Sequence, residues 1–448
     1  MRKILIIGAG KSTSSLIKYF ADNSQKENWE IEICDVSINH LEEQIKNYTN
    51  IKISNFDVFN DNQRQEKISN TDIVVSMLPA RFHIVVAKDC LKYSKHLVTA
   101  SYVSDDIAKL NDEVIQKGLI FMNEVGLDPG IDHLSSMKVI HDIIDSGAIM
   151  TGFESFTGGL VAPEYEKDNP WKYKFTWNPR NVVLAGQGPA AKFIQEGKYK
   201  YIPYHKIFRR TEYIDIEDYG KFQGYANRDS LRYQSLYGLQ DVKTFYRGTL
   251  RRTGFCRAWD MFVQLGLTDD TYIMENSENM TYRDFLNSFL AYNISDSVEL
   301  KMQHALNIDQ DSDLMEKLEW LDLFKHIKIG LKNATPAQIL QHILEKKWTL
   351  EPEDRDMVVM WHKFDYILDA KPRQIQSSMV VTGDNQMFTA MAKTVGLPLA
   401  ITVKLILNGV INTPGVQIPL TKDVYLPILS ELEEYGITFK EKTLEFFK

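Results

Sequence analysis

Through the first third of the chain, short apolar runs alternate with segments of helical spacing. Lys3–Ile7 is apolar and stops at Gly8; Ser12–Ala21 then carries Leu16, Ile17 and Phe20 on one helical stripe. Glu30–Cys34 alternates as a strand does, Leu41–Tyr48 has helical spacing, and Ile51–Ser54 is a third strand candidate. Asp72–Leu78 is an apolar strand core stopped by Pro79. Phe82–Tyr93 and Asp105–Lys117 read as helices, with His96–Ala100 and Leu119–Met122 as strands. Regular alternation of uninterrupted apolar strands with amphipathic helices predicts a parallel sheet covered on both faces.

Beyond residue 130 the texture changes. Residues 150–260 are rich in aromatics, glycines and arginines and contain several strand-like pieces. Residues 260–350 have helical patterning, as in Tyr282–Tyr292 and Leu314–Lys325. Met357–Leu368 reads as a strand returning to the middle of the molecule, and Thr389–Leu407 as a long apolar helix. The expected domains are 1–130 with about 385–448, a discontinuous nucleotide domain; 131–260 with about 350–384, an α/β substrate and dimerisation domain; and 261–349, a small helical domain.

Composition narrows the classes. The 448 residues carry 52 Lys and Arg against 60 Asp and Glu, a formal charge of -8, which argues against a dedicated nucleic-acid binder. The apolar run at the N-terminus is too short for a secretory signal. Lys404 and Asn408 interrupt the apolar stretch Leu397–Ile411, so no membrane span is expected. Three scattered cysteines, Cys34, Cys90 and Cys256, form neither a disulfide framework nor a metal-ligand spacing, which points to a reduced, cytoplasmic compartment and no metal.

The turn Gly8-Ala9-Gly10-Lys11-Ser12-Thr13 follows a strand and opens a helix. One glycine permits the tight turn and the next lets main chain approach a pyrophosphate resting on the helix N-terminus; Thr13 stands where a third glycine is usual. Asp35, 22 residues beyond Thr13, has the spacing of the acid that accepts from ribose hydroxyls. A carboxylate there repels the extra phosphate of NADP, and no arginine follows closely, so NAD is expected over NADP. Leu78-Pro79, after the fourth strand, is the third expected cofactor contact. The fold class is therefore α/β: a Rossmann-type parallel-sheet domain, an α/β substrate domain and a small helical domain.

Two further segments fall at the ligand-facing ends of strands: Thr99-Ala100-Ser101-Tyr102, and Glu124-Val125-Gly126-Leu127-Asp128-Pro129-Gly130-Ile131-Asp132-His133. Asp132 is placed to cap the helix that follows. Later come Tyr173-Lys174-Phe175-Thr176-Trp177, Asn227-Arg228-Asp229-Ser230, Arg247-Gly248-Thr249-Leu250-Arg251 and Thr389–Gly396. In this order, and across essentially the whole chain, the segments resemble the saccharopine reductases, the L-glutamate-forming saccharopine dehydrogenases. The resemblance implies NAD(P)-dependent oxidative cleavage of saccharopine to glutamate and α-aminoadipate semialdehyde, in lysine degradation. It implies substrate contacts at Ser101, Tyr102, Asp128, Arg228, Thr249, Leu250 and Arg251, and cofactor contacts at Thr13, Asp35 and Leu78, which join the expected contacts Gly8, Gly10, Lys11, Ser12 and Pro79 of the two turns.

These residue types suit that chemistry. Saccharopine carries three carboxylates, which arginine binds bidentately. Its secondary amine needs an acid–base group, and Asp128 and Tyr102 are the candidates; His133 is a weaker one. The family often reads Tyr-Cys-Gly-Gly where this chain has Phe156-Thr157-Gly158-Gly159, and proline is common at Val161. Two other readings fit: a related dehydrogenase such as one acting on carboxynorspermidine, or a non-catalytic dinucleotide-binding protein. A homodimer through the 260–350 region is expected, with a small molecule and no nucleic acid or membrane as partner.

Overall fold

The computed structural model describes residues 1–39, 41–46, 48–166, 168–227 and 229–445. The chain divides into two compact units, Met1–Ala148 with Met379–Lys440, and Ile149–Ser378 with the stretch from Glu441 onward.

The first unit is built on β1 (Arg2–Ile7), β2 (Trp29–Asp35), β3 (Ile51–Asn55), β4 (Ile73–Ser76), β5 (His96–Thr99) and β6 (Ile120–Met122), closed at one edge by the strand Gly415–Gln417. Their order is (Gly415–Gln417)-β6-β5-β4-β1-β2-β3, with every pairing parallel. Strand order reverses beside β1, which leaves a crevice at the carboxyl ends of β1 and β4, where ligands of open parallel sheets bind. Ile4–Ile7 and all of β4 are buried, as continuous apolar runs in a doubly covered sheet must be.

The C-terminal return completes this unit. The helix Ala390–Leu407 is long and apolar enough to cross a membrane, but 78% of it is buried inside the protein. Thr389 caps it by accepting from the Ala392 amide, and Gly396 lets it approach the helix Ser14–Asn23 so closely that a Cβ would lie 2.8 Å from the Leu16 nitrogen. Lys404, which interrupts the apolar run in sequence, pairs with Glu431 at 2.5 Å on the helix Lys422–Glu434.

Several sequence-predicted helices are shorter than their patterns: Leu41–Tyr48 is helical over Glu42–Ile45, and Leu314–Lys325 belongs to a helix that ends at Trp320. Asp105–Lys117 breaks into Asp105–Ala108 and Asn111–Gln116, and the Asn111 side chain that opens the second accepts from the Val416 amide of the closing edge strand. Tyr282–Tyr292 ends at Asn287, after a capping box between Thr281 and Asp284 starts it. The Ser288 hydroxyl bonds back to the Asp284 carbonyl and the polar run that follows turns on Asn293, whose carbonyl oxygen accepts from the Ser295 and Asp296 amides.

The second unit is a mixed sheet. Its strands are β7 (Ile149–Val161), β8 (Ala191–Gln195), β9 (Lys198–Ile202), β10 (Thr211–Ile216), β11 (Gly220–Ala226), β12 (Thr244–Arg252), β13 (Asp356–Leu368) and β14 (Lys371–Thr382). The main order is β10-β11-β12-β7-β13-β14, followed by Lys440–Glu445, with β8 attached to β12 and β9 to β8. β12 runs parallel to β7, and β13 returns antiparallel along almost the whole of β7. Helices Val298–Leu306, Asp313–Trp320 and Pro336–Trp348 fill the interval before β13, the last of them opened by a Thr335–Gln338 capping box with Pro336 in its first turn.

Candidate functional site

At the carboxyl end of β1 the chain turns at Gly8 with φ +97°, and a Cβ there would lie 2.9 Å from the Met77 carbonyl carbon and oxygen. Only glycine satisfies both demands. A Cβ on Gly10 would meet nothing within 4 Å, so the turn leaves open space beside it. Thr13, in the third fingerprint position, is buried and donates its hydroxyl to the Gly10 carbonyl at 2.6 Å, locking the turn from within. The free amides of the helix Ser14–Asn23 begin there. Lys11 is exposed and Ser12 half-buried in the same turn; Leu78 is half-buried and Pro79 exposed after β4. Arg81, also exposed, follows them, its guanidinium 4.6 Å from the centre of the Phe82 ring.

Asp35 ends β2 as expected, but both of its oxygens are engaged. Oδ2 accepts from the Ala9 amide at 2.6 Å and Oδ1 from the Ser37 amide at 2.9 Å. The carboxylate braces the glycine turn against the end of β2. The two main-chain donors give Asp35 a structural part at this position, independent of any contact with a ribose.

At the next strand ends Ser101 and Tyr102 follow β5, the first half-buried and the second 42% exposed. The Glu124–His133 loop packs on them. The Glu124 amide donates to the Ser101 carbonyl at 3.2 Å and the Val103 amide donates to Glu124 Oε1 at 3.0 Å. A Cβ on Gly126 would lie 2.9 Å from the Ala100 Cβ, and one on Gly130 would lie 2.0 Å from the Gly126 carbonyl oxygen, so both glycines are demanded by the knot. Half-buried Asp128 sits at its tip. The loop thus gathers Ser101, Tyr102 and Asp128 at one end of the sheet.

Two members of this loop have other work. Asp132 is not the cap residue: the helix runs Ile131–Asp145 behind Gly130, and Asp132 reaches back from the first turn to accept from the Gly130 amide at 2.6 Å. His133 is fully buried, with Nε2 2.9 Å from Glu124 Oε2. Sequence reasoning missed a second histidine. His83 lies between Ser76 Oγ, 2.8 Å from Nδ1, and Ser101 Oγ, 2.7 Å from Nε2. Burial pushes its imidazole down to about 4. A histidine opening the helix after β4 was the available signal, but nothing in the sequence indicates that β5 brings Ser101 to it.

The second unit holds the other predicted residues. In β12 the side chains of Thr249 and Arg251 share one sheet face, while Leu250 points to the other, where a Cβ on Gly158 would lie 2.9 Å from the Leu250 Cβ. Thr249 pairs in register with Tyr225 of β11 and Thr157 of β7. Arg251 is buried. Its guanidinium lies 5.1 Å from the Tyr173 ring centre, 5.5 Å from Phe255 and 5.9 Å from Tyr225, and its Nη1 donates to the Leu250 carbonyl at 2.8 Å. Its Nε has no hydrogen-bond partner, and among the described residues no carboxylate pairs with it. Arg228 lies outside the described residues.

The departures from the family pattern fall on opposite faces. Phe156 lies against Gly224 and Gly248, where added Cβ atoms would come within 2.7 and 2.3 Å of its ring. Thr157 takes the Thr249 face, its buried hydroxyl without a hydrogen-bond partner. Arginines left without a functional role are tied down: Arg252 to Glu166 at 2.5 Å and Arg209 to Asp260 at 2.8 Å, with exposed Arg210 over the Phe193 ring.

A glycine turn entering a helix, at the switch point of an open parallel sheet, makes the first unit a dinucleotide-binding domain of the doubly wound α/β class. Residues 4–122 match the family model described as saccharopine dehydrogenase NADP binding domain, and residues 126–437 the saccharopine dehydrogenase C-terminal domain. The chain belongs to the saccharopine dehydrogenase family. It is 32% identical to the saccharopine dehydrogenase [NADP(+), L-glutamate-forming] of Schizosaccharomyces pombe, covering 99% of this chain and 100% of that one. It is 33% identical to the mitochondrial alpha-aminoadipic semialdehyde synthase of Rattus norvegicus over 99% of this chain, but spans only 48%, about half, of that relative's length. The solved apo saccharopine dehydrogenase (L-Glu forming) of Saccharomyces cerevisiae superposes with a TM-score of 0.89 at 30% identity, covering 99% of this chain and 100% of that one.

These matches overturn the expectation of NAD over NADP. The matched domain is described as NADP-binding, and the fungal relatives are NADP(+) proteins by name. Asp35 has the spacing of a ribose contact, but its carboxylate also has a structural part, accepting from the Ala9 and Ser37 amides that hold the glycine turn.

Proposed function

We propose that the protein is an NADP-dependent saccharopine dehydrogenase that cleaves saccharopine to L-glutamate and α-aminoadipate semialdehyde, as in lysine degradation. The observation that carries this reading is Arg251, a buried cation with an aromatic surround and no carboxylate among the described residues. Burying an unpaired charge costs several kcal/mol, on the order of what a bound carboxylate restores. A substrate with three carboxylates supplies that anion.

Open space beside Gly10, the free amides of the following helix and the positive charge of Lys11 and Arg81 fit a dinucleotide with an extra phosphate. When bound, NADP accepts a hydride from the substrate carbon next to the secondary amine. The chain's own groups do the rest. Arg251 holds a substrate carboxylate, with Thr249 beside it on the same face and Arg228 as the second cation implied by the family. Asp128 takes the amine proton so that the nitrogen lone pair can assist hydride departure. Once that proton has passed to solvent, Asp128 with Tyr102 deprotonates the water that adds to the imine carbon and returns a proton to the glutamate nitrogen as the carbon–nitrogen bond breaks. Saccharopine, NADP+ and water thus give glutamate, the semialdehyde, NADPH and a proton.

Within the second unit, residues 261–349 form a helical subdomain in this reading, and its loop bearing Tyr292 and Ile294, 92% and 83% exposed, is the face for a homodimer. Three free, buried thiols suit a reducing cytoplasm. The test is NADPH formation, followed by absorbance, from purified protein with saccharopine and NADP. Steady turnover with glutamate as product supports the reading; dinucleotide binding without turnover overturns it.

A further inference from the structure

The carboxyl ends of β4 and β5 carry a line of hydroxyls joined by one imidazole. His83 is 2% exposed; its Nδ1 faces Ser76 Oγ at 2.8 Å, and its Nε2 faces Ser101 Oγ at 2.7 Å and Thr99 Oγ1 at 3.3 Å. The Ser101 amide in turn donates to Thr99 Oγ1 at 3.3 Å. Each end of the ring therefore meets a hydroxyl from a different strand end, and burial keeps the ring neutral around pH 7. A neutral imidazole donates from one nitrogen and accepts at the other, so the ring transmits direction along the line.

We propose that His83 is a positioning residue for the reaction, holding Ser101 in place and setting which way its hydroxyl points. The Ser101 amide occupies one Thr99 lone pair, and Thr99 Oγ1, at 3.3 Å, is the more distant of the two hydroxyls that face Nε2. With the ring proton on Nδ1, given to Ser76, the single Nε2 lone pair accepts from Ser101, the nearer hydroxyl at 2.7 Å. Ser101 then spends its hydrogen on His83 and offers lone pairs to the substrate amine. With the proton on Nε2 instead, Ser101 would present a donor, which suits a carboxylate and not an ammonium. The role of Ser101 as a substrate contact rests on the function proposed above.

The test is a double-mutant cycle of His83→Phe and Ser101→Ala, with kcat and KM for saccharopine and for NADP, and melting temperature, read on each protein. Each single change is expected to lower kcat/KM for saccharopine by about tenfold, the value of one such hydrogen bond, and to leave KM for NADP unchanged. The double variant should be no worse than either single one, and His83→Gln, which can reach Ser101, should recover part of the loss. A hundredfold loss in the double variant, or wild-type kinetics in His83→Phe, overturns the proposal. Wild-type kinetics in Ser101→Ala, with saccharopine still turned over by the parent, overturns it while leaving the function standing. Absence of turnover in the parent removes both. Should His83→Phe fail to fold, Ser76→Ala takes its place in the cycle, since it releases Nδ1 without touching Ser101; additivity with Ser101→Ala is then the overturning result.

Discussion

The two units treat their polar groups in opposite ways. At the carboxyl ends of the parallel sheet, Asp35 is braced by two amides, Glu124 holds His133 and the Val103 amide, and Ser101 is held by His83. On the β12 face of the mixed sheet, Arg251 Nε and the Thr157 hydroxyl are buried without hydrogen-bond partners. The first arrangement is complete before any ligand arrives and gives fixed geometry. The second is stable only because the surrounding fold carries the desolvation of an unpaired cation, and a bound carboxylate relieves it.

The comparison breaks hardest at the acid–base group. Asp128→Asn keeps the loop shape and removes the proton acceptor, so kcat should fall about 10²- to 10⁴-fold with little change in KM for NADP, measured by steady-state kinetics. Arg251→Met comes next. It should lower kcat/KM for saccharopine by at least about 30-fold, the cost of losing one partner of a buried charge pair, while the melting temperature holds or rises because an unpaired buried charge is gone. A drop in both would mean that Arg251 is structural.

His83 sharpens the comparison through pH. Its pKa in the folded protein, about 4, lies below the ordinary 6.5, so the unfolded chain binds the extra proton first. Stability from this group is complete above pH 6.5 and is lost as pH falls towards 4, by at most about 3 kcal/mol. Urea unfolding at pH 7 and pH 5 should show the decline, and His83→Gln should flatten it.

The glycine turn offers a matched pair. Gly8→Ala meets both a left-handed φ and the Met77 main chain, and should destabilise by about 2 kcal/mol or more in urea unfolding. Gly10→Ala meets nothing and should change stability by less than about 0.5 kcal/mol, yet raise KM for NADP by filling the open side. The smallest effect is expected for Arg81→Ala, a three- to fivefold rise in KM for NADP, about the worth of one exposed charge contact.

Much of the first unit was legible in the sequence because its signals are local. Apolar runs of strand length, Gly8 at a turn and Thr389 before an apolar helix act within a few residues of themselves. Ser101, Asp128 and Arg251 could be singled out because they lie in motifs that recur in order along the family. Tertiary structure decided what depends on distant neighbours. Asp35 has the spacing of a ribose acceptor, but the Ala9 amide claims its carboxylate. Asp132 has the position of a cap and reaches back from inside the helix. His83 carries no motif at all, and matters only because β4 and β5 lie side by side. Sequence by itself determined the order of strands and helices and the residues fit for the chemistry, because propensity and periodicity are properties of short segments. Which hydroxyl meets which imidazole, and which charge stays without a partner, was decided by how separate strands pair, which no single segment encodes.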